Sequence, residues 1–234
     1  MKRELSNHIR FVIEECLPPI FRDSRLFAGV AGLIWGKQIG DFADFRRRAV
    51  ELTHKEYEEL YRNSTRIHDE TDNSRACIEK IVADVVGESL CDVGCGTGYL
   101  VNAVKSVRGS TLSRYVGVDF VEPPEASFEL VKAPIENLPF KEAEFDTVIC
   151  THVIEHILDH RKAIAELRRI TRRRLIIVVP REREGIYTFN PHFHFFPYKH
   201  SFLRAMIPLP EVYYCTDIGR DIYYYEDIVG RERK

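Results

Sequence analysis

Two rhythms divide the chain. Through about residue 75, apolar positions recur at helical spacing, and no strand-like alternation of any length occurs. Pro18-Pro19 breaks the first helical stretch. Asp41 to Tyr61 is rich in Arg, Glu, Ala and Leu at helical spacing, with Thr53 and Glu56 placed as a capping box. Asn73 or Ser74 is the candidate cap of a helix from Arg75 to Val86. Beyond it, short β-rich runs alternate with helical segments. Strands are expected at Ser89–Val93, Tyr115–Val118, Phe128–Ala133, Asp146–Thr151 and Leu175–Val179. Helices are expected at Tyr99–Val107 and Ile154–Thr171, with a short one near Pro123–Ala126. This alternation predicts a parallel sheet covered on both faces. After Pro180, residues 181–208 read as irregular and rich in aromatics and histidine. Glu211–Cys215 and Asp221–Ile228 then read as an antiparallel pair, with Asp217-Ile218-Gly219 in the turn. The expected class is α/β: a doubly wound, mainly parallel sheet with a C-terminal antiparallel hairpin. The expected organisation is a helical cap over 1–75 and a ligand-binding domain over 76–234, with 181–208 as a loop insertion.

Composition narrows the partners. The 234 residues are 44% apolar and 30% charged, which suits one elaborated α/β domain or at most two small ones. A net charge of −2 gives no basic face, so nucleic acid is not an expected partner. The six cysteines form no CxxC, and Cys91, Cys95 and Cys150 fall in or beside core strands. Free buried thiols in a reducing cytoplasm are therefore expected. The N-terminus is charged and lacks a secretory pattern. Leu26 to Trp35 is about half the ~20 residues that span a bilayer, so a buried helix is expected. The alternative is an interfacial patch from Leu17 to Trp35 giving weak peripheral membrane contact.

The chemistry begins where the first strand ends. Ser89 to Val93 passes into Gly94-Cys95-Gly96-Thr97-Gly98, a strand-to-helix turn with three alternate glycines. Tyr115-Val116-Gly117-Val118-Asp119 is a second strand ending in an acid, at an offset where a carboxylate reaches ribose hydroxyls. The pair indicates an adenosine-containing ligand. The spacing is G-x-G-x-G rather than the dinucleotide G-x-G-x-x-G, and Asp92 beside it would repel a pyrophosphate but suit an ammonium. No Gly-Lys-Ser/Thr follows, which excludes a P-loop. Cys91 to Gly98 resembles the first motif of class I S-adenosylmethionine-dependent methyltransferases, of the small-molecule, type 11-like group. The resemblance continues through Val118-Asp119-Phe120, Ile135-Glu136-Asn137-Leu138-Pro139-Phe140 and Phe145 to Asp159, and covers about residues 75–180. It implies a Rossmann-like fold, a cytoplasmic transferase and S-adenosylmethionine as cofactor. By that resemblance Asp92 and Gly94 hold the methionine part, and Gly96 and Gly98 let the backbone approach. Asp119 binds the ribose and Phe120 packs on adenine. Cys95, Ile135, Glu136 and Thr151 complete the set. Pro134 stands where family members often have an acid, so the adenine contact passes to Glu136 or to the backbone at Ile135.

The acceptor site is expected outside the carboxyl ends of the strands. Thr151-His152 ends the fourth strand there, and His156 opens the following helix on the same side. His156 and His152 are candidate bases, while Glu155-His156 acting only to cap the turn is the competing reading. His152, His156 and His160 recur every four residues but lack the H-E-x-x-H order, so no metal is expected. The loop from Tyr187 to His200 is a candidate acceptor wall, with His192 or His194 as an alternative base. All four imidazoles (His152, His156, His192 and His194) are expected to converge near the transferring methyl. Arg168, Arg169 and Arg172–Arg174 read as a solvated helix end complementing the dipole. The expected function is methyl transfer to oxygen or nitrogen of a small molecule, with resemblance to enzymes of sugar and cell-surface-glycan pathways. A lipid or quinone-like acceptor is the first alternative. A non-catalytic adenosine-ligand-binding protein is the second, because fold alone does not prove activity.

Overall fold

The structure is a computed structural model that describes residues 11–35, 48, 51–53, 56, 59, 71–120, 126–187 and 191–230. The chain divides into two compact units. One holds residues 1–69 and 182–197, the other residues 70–181 and 198–234.

The larger unit is a seven-stranded sheet in the order β3-β2-β1-β4-β5-β7-β6. Its strands are β1 (Ser89–Val93), β2 (Arg114–Asp119), β3 (Glu129–Lys132), β4 (Phe145–Thr151), β5 (Thr171–Pro180), β6 (Tyr213–Ile218) and β7 (Asp221–Asp227). The first five run parallel, and β7 pairs antiparallel with both β5 and β6. Every residue of β1 is buried, as expected of a strand covered on both faces. One face carries helices α3 (Arg75–Asp84) and α4 (Tyr99–Arg108); Cys77, Ile81, Leu100 and Val104 from them pack on Leu90, Ile149, Ile176 and Tyr223. Of the two candidate caps of α3, Ser74 serves: its side chain accepts from the Cys77 N–H. Helix α5 (His160–Ile170) buries Ala163, Ile164, Leu167 and Ile170, spaced three and four apart on one stripe. The parallel order reverses direction of growth between β1 and β4, which opens a crevice outside their carboxyl ends.

Several boundaries move. The segment read as one helix from Ile154 to Thr171 is a 3₁₀ turn at Ile154–His156 followed by α5, capped by Asp159, which accepts from the Lys162 N–H at 3.1 Å. His156 therefore lies in the turn and does not open the helix. The strand expected from Leu175 begins at Thr171, and Arg172–Arg174 belong to it. Arg168 and Arg169 do lie in the last turn of α5 and Arg173 is exposed, but Arg172 and Arg174 are not solvated. Arg172 is buried and forms an ion pair with Asp146, which also accepts from the Glu88 N–H at 2.9 Å. Arg174 pairs with Asp227 at 2.7 Å, and Arg168 reaches the buried Glu226 at 2.7 Å. Hydropathy places such cations outside, whereas buried carboxylates on neighbouring strands supply the partners that permit them inside. Helix α6 (Lys199–Ala205) occupies part of the stretch read as irregular, anchored by the fully buried Phe202. The hairpin strands are shifted, so that Gly219-Arg220 forms the turn. The short helix expected near Pro123–Ala126 lies largely outside the described residues.

In the smaller unit, the first helical stretch is a π-helical turn at Val12–Cys16, and Pro18 separates it from α1 (Pro19–Arg22). Helix α2 spans Arg25–Trp35. Leu26 is 75% and Val30 50% exposed, so the described first half of α2 is not buried as expected. Thr53 and Glu56 form the expected box: the Thr53 N–H and hydroxyl donate to Glu56 Oε2 at 2.9 and 2.7 Å, and the Glu56 N–H returns to Thr53 Oγ1 at 3.3 Å. Most of Asp41–Tyr61 lies outside the described residues. Arg22 donates to the Glu184 carbonyl at 2.9 Å, and the Ile186 N–H to Asp23 at 3.0 Å, which ties the two chain segments of this unit together. Cys77, Cys91, Cys95 and Cys150 are buried free thiols. No helix among the described residues is long and apolar enough to cross a membrane.

Candidate functional site

The glycine turn is built against β2. The Gly94 and Cys95 N–H groups donate to the Val118 carbonyl at 2.7 and 3.0 Å, and the Gly96 N–H donates to Asp119 Oδ2 at 2.8 Å. Gly94 lies at φ 80°, where a Cβ would overlap the Val153 side chain. Gly98, at φ 76°, caps α4, and a Cβ there would overlap the Phe128 ring. The clearance these two glycines provide is thus toward protein side chains packed below the turn.

Asp92 is the most informative residue of the site. It is 2% exposed, and its Oδ1 has no hydrogen-bond partner among the described residues. Burial, then the nearby Asp119, raise its carboxyl to about 7. A buried acceptor with no donor is costly and rare, and at a strand end beside a glycine turn it calls for a ligand donor. Asp119 ends β2, 8% exposed, with Phe120 half-buried after it. Ile135 is buried and Glu136 half-buried in a turn closed by the Asn137 N–H on the Pro134 carbonyl at 3.1 Å.

The end of β4 gathers a second group. Thr151 accepts from Asn73 Nδ2 at 2.9 Å. His152 takes the left-handed region at φ 55°, and its N–H donates to the Val178 carbonyl of β5 at 2.9 Å. Its Nδ1 lies 3.6 Å from Glu155 Oε1 and its Nε2 3.8 Å from Asp221 Oδ1. Burial pulls the His152 pKa down, but Glu155, Asp221 and Asp72 outweigh it, and the net direction is up. The His156 N–H closes the 3₁₀ turn on the Val153 carbonyl at 2.9 Å, with the residue half-buried. The sheet thus brings Asp92, Gly94, Cys95, Gly96, Asp119, Thr151, His152 and His156 to its carboxyl edge.

His192 and His194 belong to the smaller unit. There His192 is buried, with Nδ1 2.5 Å from Glu182 Oε2, while His194 is half-buried. Sequence reasoning missed Asn73 as more than a cap, and it missed Asp221 and Glu182 entirely. The sequence held no signal that separated Asn73 from Ser74 as the cap; the Ser74 bond to the Cys77 N–H is what leaves the adjacent amide for another task.

Residues 91–179 match the model of a family described as a methyltransferase domain. The strand order and the glycine turn agree with that match, so over residues 91–179 the chain resembles a class I S-adenosylmethionine-dependent methyltransferase domain. It is similar to a tRNA U34 carboxymethyltransferase of Campylobacter curvus, 34% identical over 92 residues, 35% of this chain and 30% of that one. It is also similar to a malonyl-[acyl-carrier protein] O-methyltransferase of Serratia marcescens, 33% identical over 89 residues, 37% of this chain and 35% of that one. The chain therefore spans about a third of the length of these relatives. A solved structure of a SAM-dependent methyltransferase from Aquifex aeolicus shares the fold at a TM-score of 0.52, with 16% identity over 76% of this chain and all of that one (100%). The donor set fits S-adenosylmethionine: an orphaned buried carboxylate suits its ammonium, and Asp119 suits its ribose hydroxyls.

Proposed function

We propose that this chain transfers the methyl group of S-adenosylmethionine to an oxygen or nitrogen of a small molecule. The observation that carries the reading is the buried Asp92 carboxylate beside the glycine turn, whose Oδ1 has no hydrogen-bond partner among the described residues. The cofactor, when bound, supplies an electrophilic methyl on a sulfonium. The chain's own residues hold and orient. Asp92 and Gly94 take the methionine part and Asp119 the ribose. Cys95, Gly96, Gly98, Phe120, Ile135, Glu136 and Thr151 line the remainder. His156 is the preferred proton acceptor. His152 is the poorer one, because the carboxylates around it favour its protonated form. His192 and His194 are the alternatives, with the segment 181–208 as the acceptor wall and residues 1–75 as a helical cap. A sugar or glycan precursor is the favoured acceptor class. The relatives' names span a tRNA nucleoside and a carrier-bound malonyl group, so the fold alone does not select one.

A second reading, a lipid or quinone-like acceptor, draws support from the exposed apolar Ile20, Phe21, Leu26 and Val30. Calorimetry with S-adenosylmethionine, its demethylated product and NAD tests the cofactor. Transfer of labelled methyl to panels of sugars, amines and quinols tests the acceptor. Binding of NAD without S-adenosylmethionine overturns the proposal; labelling of quinols alone replaces the first acceptor class by the second.

A further inference from the structure

Asn73 stands immediately before the cap of α3 and is 5% exposed. Its Nδ2 donates to Thr151 Oγ1 at 2.9 Å and to Thr71 Oγ1 at 3.2 Å. Both amide hydrogens are thereby used. Its Oδ1 is buried with no partner among the described residues. In this orientation the amide has one remaining capacity, to accept.

Asp92 has the same deficit, and it lies on the strand next to the one that ends in Thr151, the partner of Asn73. Asp92 is level with Ile149 of β4, and Thr151 follows two residues later on the same face by the alternation of the pleat. That face is the one covered by α3 and α4, since Leu90 and Ile149 share a core with Cys77 and Leu100. Two orphaned buried acceptors therefore lie at the carboxyl end of the sheet, Asp92 on β1 and Asn73 against the end of β4 just ahead of α3. A carboxylate ligand would meet only repulsion from this pair. A primary ammonium, with three donors and no acceptor, matches it.

We infer that Asn73 is a cofactor-binding residue whose side-chain carbonyl, together with the Asp92 carboxylate, receives the ammonium of the cofactor's amino-acid tail. Thr71 and Thr151 are the positioning residues that hold the amide in that orientation. This rests on the reading that S-adenosylmethionine is the ligand.

The test is calorimetry with two ligands: S-adenosylhomocysteine, which carries the tail, and 5′-methylthioadenosine, which keeps the nucleoside and thioether but lacks it. Asn73→Ala should weaken S-adenosylhomocysteine by about 10–100-fold, the range for a lost hydrogen bond to a charged group. It should leave 5′-methylthioadenosine within about 2-fold of wild type. Asn73→Asp keeps an acceptor oxygen and should retain the preference for the tail. Equal weakening of both ligands, or of neither, overturns the assignment and makes Asn73 a structural residue. A loss in Asn73→Asp as large as in Asn73→Ala shows the amide acting as a donor, and also overturns it. If the wild-type chain binds neither ligand, the cofactor reading itself fails, and Asn73 loses its role with it.

Discussion

Asp92 lends itself to a quantitative test because its burial fixes both a stability effect and a binding effect. Its carboxyl sits at about 7 in the folded protein, raised by burial and then by Asp119, against ~3.9 in an unfolded chain. A carboxyl raised on folding contributes stability that is fully present below ~3.9 and lost as pH climbs through the folded value. A gap of roughly three units at ~1.4 kcal/mol each bounds the cost at about 4 kcal/mol by neutral pH. Asp92→Asn keeps the shape and removes the ionisation. Urea unfolding at pH 8 should therefore show the unliganded variant more stable by about 2–4 kcal/mol, the advantage shrinking by ~1.4 kcal/mol per pH unit below 7. Binding runs the other way. An ammonium ligand requires the ionised carboxylate, so cofactor binding at pH 6 should release about 0.9 proton, read by calorimetry in two buffers of different ionisation enthalpy. Above pH ~8 the sign should reverse, as the ligand's own α-amino group takes up a proton. The variant should lose both the proton release and most of the affinity. No release at pH 6, or affinity in Asp92→Asn within about 2-fold of wild type, would refute the reasoning.

Three further outcomes are expected. Glu226→Ala takes the buried carboxylate from the half-buried Arg168, which keeps the Met206 carbonyl as an acceptor, and should cost about 3–5 kcal/mol in urea unfolding; a loss below ~1 kcal/mol would show that solvent screens the pair. Gly94→Ala combines a left-handed backbone with overlap on Val153 and should lower stability by about 1–3 kcal/mol. Adding Val153→Ala should recover only the steric part, and full recovery would deny any backbone strain. In a proton NMR titration His152 should titrate above the ordinary ~6.5, and Asp221→Asn should lower its midpoint. An unmoved midpoint would remove Asp221 from the site.

Much of the sheet was legible because buried parallel strands are written as short unbroken apolar runs. Ser89–Val93 matched to the residue, and the glycines, being confined to a turn with positive φ, announced themselves. What was not legible depended on partners distant in sequence. Arg172 reads as solvent-facing until Asp146, on the neighbouring strand, is known to lie buried beside it. The break between Ile154 and His160 leaves no mark because Leu158 and Asp159 fit a helix as well as a turn; what ends the continuity is the Asp159 cap. Asn73 carried two possible jobs at one position, and only the Ser74 bond to Cys77 shows which of them it leaves to its neighbour.

The place of β7 has a consequence for how the protein is made. It lies between β5 and β6 although it follows both in the chain. While the ribosome still holds residues 221–227, a nascent chain can assemble the five parallel strands, but β5 has no neighbour on its far side and β6 has nothing to pair with. The apolar edge from Leu175 to Val179 stays open for that interval, a template for pairing with other chains. A message truncated after β6 would yield a polypeptide with the whole glycine turn, Asp92 and Asn73, yet with Arg168 and Arg174 deprived of Glu226 and Asp227. Such a product is expected to go to chaperones and proteases rather than to persist as a folded domain.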